Sequence, residues 1–244
     1  MLQLTAVTKS YKDPVVRDVS LTIPEGCLYG LIGPGAAGKS VLLKLLAGLT
    51  RPDRGAVVVL GQDITKLPEL DLQALRLHFG MLFQNNALFD YLTVTENIAF
   101  PLRRQGTLTD ADIMAKTEER LERVALAGFG HRLPTGLSGG QKKRVGVARA
   151  TITNAPIVLY DEPTAGLDPV TSQKIFELLR AEQRAAKSTV VMVSSDLDRL
   201  LTVTDRVGMM VKGELIFDGT TDEARTSNEP RVRQFVHGLT SGPL

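Results

Sequence analysis

Apolar positions along the chain follow two rhythms. Leu28 to Ile32, Ile157 to Tyr160 and Thr189 to Val193 are short, nearly unbroken apolar runs. Such runs predict strands covered on both faces, as in a parallel sheet. Leu2 to Val7, Val19 to Ile23 and the β-branched Ala56 to Leu60 read as further strands, the first two in an antiparallel layer, with a turn at Gly61-Gln62-Asp63. Val207 to Val211 and Glu214 to Phe217, split by Lys212-Gly213, predict a hairpin. Helical spacing fills the intervals. Val41 to Leu46 ends near Gly48, Leu72 to His78 is short, and Thr95 to Leu102 is amphipathic. Thr109 to Gly128 buries Ile113, Leu121, Val124 and Ala125, with Asp110 as its cap and its charged residues on a solvated face. A helix opening at Asp168-Pro169 buries Ile175, Phe176, Leu178 and Leu179, with Asp as cap and Pro in the first turn. From Asp222 a short helix gives way to a loose end. The alternation predicts an α/β fold: residues 1–84 and 155–220 form the sheet-bearing core, 85–154 a helical insert and 221–244 a tail.

Composition changes this picture little. A 43% hydrophobic content over 244 residues supports a sizeable core in one domain. A net charge of +2 gives no argument for nucleic acid. The single cysteine, Cys27, rules out an intramolecular disulfide and suits a reducing compartment. The start, MLQLTAVTKSYKD, shows no signal peptide, and no apolar run approaches the roughly 18 residues of a spanning helix.

The chemistry sits at the carboxyl ends of the buried runs. Gly33-Pro34-Gly35-Ala36-Ala37-Gly38-Lys39-Ser40 lies between an apolar strand and an apolar helix, the context of a phosphate-binding P-loop. Glycines let the backbone N–H groups converge on an anion, and the helix dipole adds positive potential. Lys39 would reach the β- and γ-phosphates of a nucleotide and Ser40 would bind Mg²⁺. Asp161-Glu162 closes a buried strand, where carboxylates are costly unless they hold a cation or do acid–base work. Asp161 would hold Mg²⁺ through water, and Glu162 would orient the attacking water. Leu137-Ser138-Gly139-Gly140-Gln141 opens a basic helix, a second anion site with Ser138 as cap. Two such sites suggest one nucleotide gripped from two sides. Tyr11, about 22 residues before Gly33, is an exposed turn tyrosine singled out only by that spacing. Gln84 ends an apolar strand at the sheet edge where α/β folds place ligands.

Together these residues resemble the ATP-binding subunit of ABC transporters over nearly the whole chain. LSGGQ between a P-loop and a Tyr-Asp-Glu-Pro strand end is a highly specific combination. The resemblance implies a P-loop NTPase with a RecA-like core, an antiparallel β layer and an inserted α-helical subdomain. It makes the glycine loop Walker A, Ile157 to Asp161 Walker B, and Ala165 to Asp168 the D-loop. It gives Gln84 the Q-loop position beside Mg²⁺ and the attacking water, and Tyr11 the adenine-stacking role. It implies a head-to-tail homodimer, each ATP lying between Walker A of one copy and Ser138, Gly139, Gly140 and Gln141 of the other. Finer segments, GKSVLLK, MLFQNNALFDYLTVTENIAFPLR, GGQKKRVGVARA and PRVRQFVHGL, are similar to the Mce/Mla lipid-transport branch. That branch implies a cytoplasmic-face position, a membrane permease docked near Asn85 to Pro101, and an Mce-domain protein handling phospholipid. A transporter ATPase for another small-molecule cargo is the alternative.

Two positions depart from the pattern. Val41 stands where most of the family have Thr, losing a hydroxyl that faces the phosphates. Ser195 stands where the family places a histidine against the γ-phosphate. A serine donates one hydrogen bond and carries no charge, so slowed hydrolysis with intact ATP binding is expected.

Overall fold

The computed structural model describes all 244 residues, Met1–Leu244. Along the chain run β1 (Leu2–Ser10), β2 (Pro14–Ile23), β3 (Leu28–Ile32), α1 (Lys39–Leu46), β4 (Arg54–Val59), β5 (Gln62–Asp63) and α2 (Glu69–Arg76). Then come β6 (Phe79–Leu82), α3 (Val94–Gln105), α4 (Asp110–Arg123), α5 (Gly139–Thr151), β7 (Ile157–Asp161) and α6 (Pro169–Ala186). The chain finishes with β8 (Thr189–Val193), α7 (Leu197–Val203), β9 (Arg206–Val211), β10 (Glu214–Thr220), α8 (Thr221–Arg225) and α9 (Pro230–Val236). It divides into two compact units, Met1–Arg76 with Thr189–Leu244, and Leu77–Ser188. No helix is long and apolar enough to cross a membrane.

The first unit holds an antiparallel sheet in the order β2-β1-β4-β5. Leu2, Leu4 and Val7 line its buried face. The break in alternation between Leu4 and Val7 is a bulge, with Ala6 at φ +50°; the extra residue returns Val7 to the core side. Gln62–Asp63, expected as part of a turn, pairs with β4 instead, and the reversal is made by Leu60 and Gly61, both at positive φ. In the same unit β3 pairs in parallel with β8 on one side and β9 on the other, and β9 turns back on β10. Every residue of β3 and β8 is buried, as their unbroken apolar runs require. Helix α1 buries Leu42, Leu43, Leu45 and Leu46 and touches β2, β4 and β8. The tail carries a second helix, α9, where a loose end was expected. Glu229 caps it, accepting from Val232 N at 2.8 Å, and Val232 is fully buried.

The second unit pairs β6 and β7 in parallel. Val94, Ile98, Leu102, Ile113, Leu121, Val145 and Ile152 of α3, α4 and the α5 segment form one apolar cluster. Thr109, rather than Asp110, caps α4: Asp112 N donates to its Oγ1 at 3.2 Å. The charged face of α4 is not wholly solvated either. Arg120 is buried and pairs with Glu182 of α6, also buried, while its guanidinium donates to Thr151 Oγ1 at 3.0 Å and Asn154 Oδ1 at 3.1 Å. Such a pair, fully hydrogen-bonded, ties α4 to α6 at the cost of desolvating both charges. This unit takes in β6, β7 and α6 together with the helices between residues 85 and 154.

Candidate functional site

In the first unit the chain leaves β3 at Gly33, with φ +137°, and enters α1 through Gly38, with φ +100°. A Cβ on Gly33 would lie 2.0 Å from the Met210 carbonyl oxygen, and one on Gly38 would lie 2.4 Å from that of Val15. The loop is therefore pressed against β9 and β2, and only glycine serves at either end. At Gly35 nothing stands within 4 Å of the added carbon, so the crest of the loop is open. No side chain caps α1, which leaves its positive end for an anion. Lys39 Nζ folds over the loop, donating to the carbonyls of Gly33 and Pro34 at 2.7 Å each. Ser40 follows on the first turn, and Val41, half-buried, offers no hydroxyl. A cradle of this shape, with an ammonium laid across it, fits a triphosphate. Gly33→Ala is expected to destabilise the chain by about 3 kcal/mol, from the clash and the strained φ together. Thermal unfolding would show it; a loss under about 1 kcal/mol would mean that the loop relaxes.

Tyr11, just past β1, is 62% exposed, with Lys9 Nζ 5.6 Å from its ring centroid. Its ring is available for stacking. Ser195, exposed after β8, lines a concavity of about 610 Å³ with Asp196, Asp198, Arg225 and His237. His237, set apart by its place in the sequence, thus shares a wall with the serine; its Nε2 lies 3.1 Å from the Arg225 carbonyl.

In the second unit Ser138 caps α5 in a reciprocal box. Gln141 N donates to Ser138 Oγ at 3.3 Å, and Ser138 N donates to Gln141 Oε1 at 2.9 Å. This leaves the serine hydroxyl proton to point outward. Gly140 packs tightly on α6, where an added Cβ would lie 2.8 Å from Thr171 Cγ2, whereas Gly139 meets only Leu167 Cδ2 at 3.5 Å. Asp168 caps α6, its Oδ1 accepting from Val170 N and Thr171 N at 2.9 Å each. A hydrogen bond from the Thr171 side chain foremost, and then these backbone bonds, hold its carboxyl below the ordinary range. Ser138 to Gln141, Arg144 and Gly166 to Asp168 line one cavity of about 470 Å³. The capped start of α5 and the segment leading into α6 thus meet in a single polar hollow.

Asp161 ends β7 and is buried; Glu162 follows at φ +50°. A left-handed conformation at a non-glycine residue costs about 1–3 kcal/mol and persists where its surroundings enforce it. The Glu162 carbonyl accepts from Ala165 N at 3.3 Å and from Lys143 of α5, a side chain that is 4% exposed. Its Nζ donates to the Gln84 carbonyl at 2.6 Å and to the Glu162 carbonyl at 3.2 Å. Burial lowers the lysine pKa, and the Glu162 and Asp161 carboxylates oppose that shift. Gln84 is exposed, two residues past β6. In the sequence Lys143 is one of several basic residues on the helix that opens at Ser138. The signal of its burial was its phase, four and seven residues ahead of Val147 and Ala150, both buried.

A family model described as ABC transporter matches residues 16–165. The probable ribonucleotide transport ATP-binding protein mkl of Mycobacterium tuberculosis is 38% identical over 244 residues, covering 100% of this chain and 68% of that protein. The methionine import ATP-binding protein MetN of Caulobacter vibrioides is 39% identical over 251 residues, covering 100% of this chain and 75% of that protein. Among solved structures, the dimeric post-hydrolysis state of the ATP-binding cassette MJ0796 bound to ADP and Pi aligns with a TM-score of 0.84 at 32% identity, over 91% of this chain and 99% of that one.

Proposed function

The chain belongs to the ABC transporter family, and on that premise we propose that it powers phospholipid movement as the ATPase subunit of an Mce/Mla-type membrane complex. As a family member it is an ATP-binding subunit with a P-loop NTPase fold, and it hydrolyses ATP with Mg²⁺. The observation that carries the mechanism is the hollow shared by Ser138 to Gln141 and Asp168. It is a polar, open hollow at the capped start of α5, where a second copy's triphosphate would lie against Ser138 to Gln141, with the Asp168 carboxylate turned to Val170 N and Thr171 N. In that arrangement two protomers clasp each ATP, one through the glycine cradle and the other through the capped start of α5.

By motif, Lys39 takes the β- and γ-phosphates, and Tyr11 stacks on the base. Ser40, Asp161 and Gln84 would hold Mg²⁺, which would supply charge neutralisation at the transferring group. Glu162 polarises the water that attacks the γ-phosphate. Ser195, at the switch position, donates one neutral hydrogen bond where a charged imidazole would do more.

The lipid cargo rests on the four segments similar to the Mce/Mla branch. It implies a homodimer on the cytoplasmic membrane face, a permease seated near Asn85 to Pro101, and an Mce-domain partner. The methionine import relative favours the second reading, a transporter for another small molecule. Purification of the tagged chain from detergent-solubilised membranes is expected to bring down a permease and an Mce-domain protein, with phospholipid enriched in the complex. An amino-acid permease in their place, with ATPase activity stimulated by its cargo, would move the assignment to the second reading.

A further inference from the structure

We infer that Lys143 is a positioning residue for hydrolysis, a buried strut that ties the signature helix to the backbone of the Q-loop and of the catalytic carboxylate. The inference rests on the reading of Glu162 as that carboxylate. Lys143 lies one helical turn beyond Gly139, on the same rigid segment as the capped start of α5. Its Nζ reaches two carbonyls on different segments, Gln84 at 2.6 Å and Glu162 at 3.2 Å. An ammonium carries three donors, so one group can hold both chains at once. Few alternatives are open to it, because it is 4% exposed and a buried cation is stable only when its donors are engaged.

The Glu162 carbonyl matters because of its backbone. At φ +50° the residue sits in a conformation that an unsupported glutamate leaves readily. Lys143 and Ala165 N, which donates to the same carbonyl at 3.3 Å, together hold the turn after β7 and with it the direction in which the carboxylate projects. The Q-loop carbonyl is held by the same nitrogen. A small displacement at the start of α5, where an anion would bind, is thus transmitted through one side chain to both catalytic segments. Arg144 and Lys142, on either side, are both less buried, and Arg144 donates instead to the Val124 carbonyl at 3.0 Å.

Lys143→Met keeps an unbranched stem and removes every donor. ATP turnover by the full chain is expected to fall about 10- to 100-fold in kcat, the scale of a small misplacement of a catalytic group. KM for ATP, set largely by the glycine cradle, should stay within about threefold. Lys143→Arg, which retains donors and charge, should recover most of the lost rate. In a Glu162→Gln background Lys143→Met should slow the residual reaction by no more than about twofold, since the group it positions is already gone. If Lys143→Met does not fold, Lys143→Ala, which likewise removes every donor, carries the same test. A kcat within about twofold of the parent, a rise in KM matching the fall in kcat, or full additivity with Glu162→Gln would each overturn the inference. A Glu162→Gln protein turning over at the parent rate would defeat the catalytic reading itself, whatever Lys143 does.

Discussion

Glu162→Gln is expected to bind ATP as the parent does and to hydrolyse it about 10²- to 10⁴-fold more slowly. The substitution is nearly isosteric, so it leaves the strained turn after β7 and its support by Lys143 in place. What it removes is the negative charge and the capacity to take a proton from water. An amide oxygen still accepts a hydrogen bond but does not act as a base at neutral pH. With the chemical step blocked, protomers that close on ATP remain closed, so the variant should accumulate as a dimer with nucleotide in size-exclusion chromatography. Adding Gly139→Glu should return it to monomer. The new side chain meets nothing nearer than Leu167 Cδ2 at 3.5 Å at its Cβ, so the fold accepts it. Its carboxylate then stands in the hollow where the partner's triphosphate would lie, and like charges at that distance repel strongly. A parent-like rate for Glu162→Gln would remove Glu162 from the mechanism. A dimer that survives Gly139→Glu would remove the signature from the nucleotide site.

These residues were visible in the sequence because their chemistry is local. A glycine loop between strand and helix, a serine or aspartate before a helix, and carboxylates at the end of an apolar run each declare themselves within eight residues or fewer. Ser138 and Asp168 are caps where their patterns placed them, and β3 and β8 are buried end to end. What the sequence hid depends on tertiary partners. Arg120 looks like a surface charge until Glu182, 62 residues on, comes to meet it. Lys143 looks like part of a basic face until the carbonyls of Gln84 and Glu162 surround it. The bulge at Ala6 is hidden because a one-residue slip leaves the composition of the strand unchanged. Helix α9 was missed because its apolar face is only Val232 and Val236, too few positions to establish a period.

Ser195→His is expected to raise the rate of ATP hydrolysis, by up to about 10²- to 10³-fold, with little change in KM. The estimate takes one charge-stabilising donor as worth about 2.7–4 kcal/mol in the transition state. Serine at this position offers a single neutral donor, and its short side chain ends close to the backbone. Imidazole reaches further, donates from nitrogen, and becomes cationic as negative charge builds on the departing phosphoryl group. The local structure has room for it, since Ser195 is exposed on a concavity of about 610 Å³. Asp196 and Asp198 on the same wall would favour the protonated ring. Steady-state ATPase assays on the full chain decide the matter. An unchanged rate would mean that the switch position does not limit turnover, and His237→Ala then becomes the informative variant. A fall in rate on removing that ring would show that an imidazole lining the same concavity already performs the task.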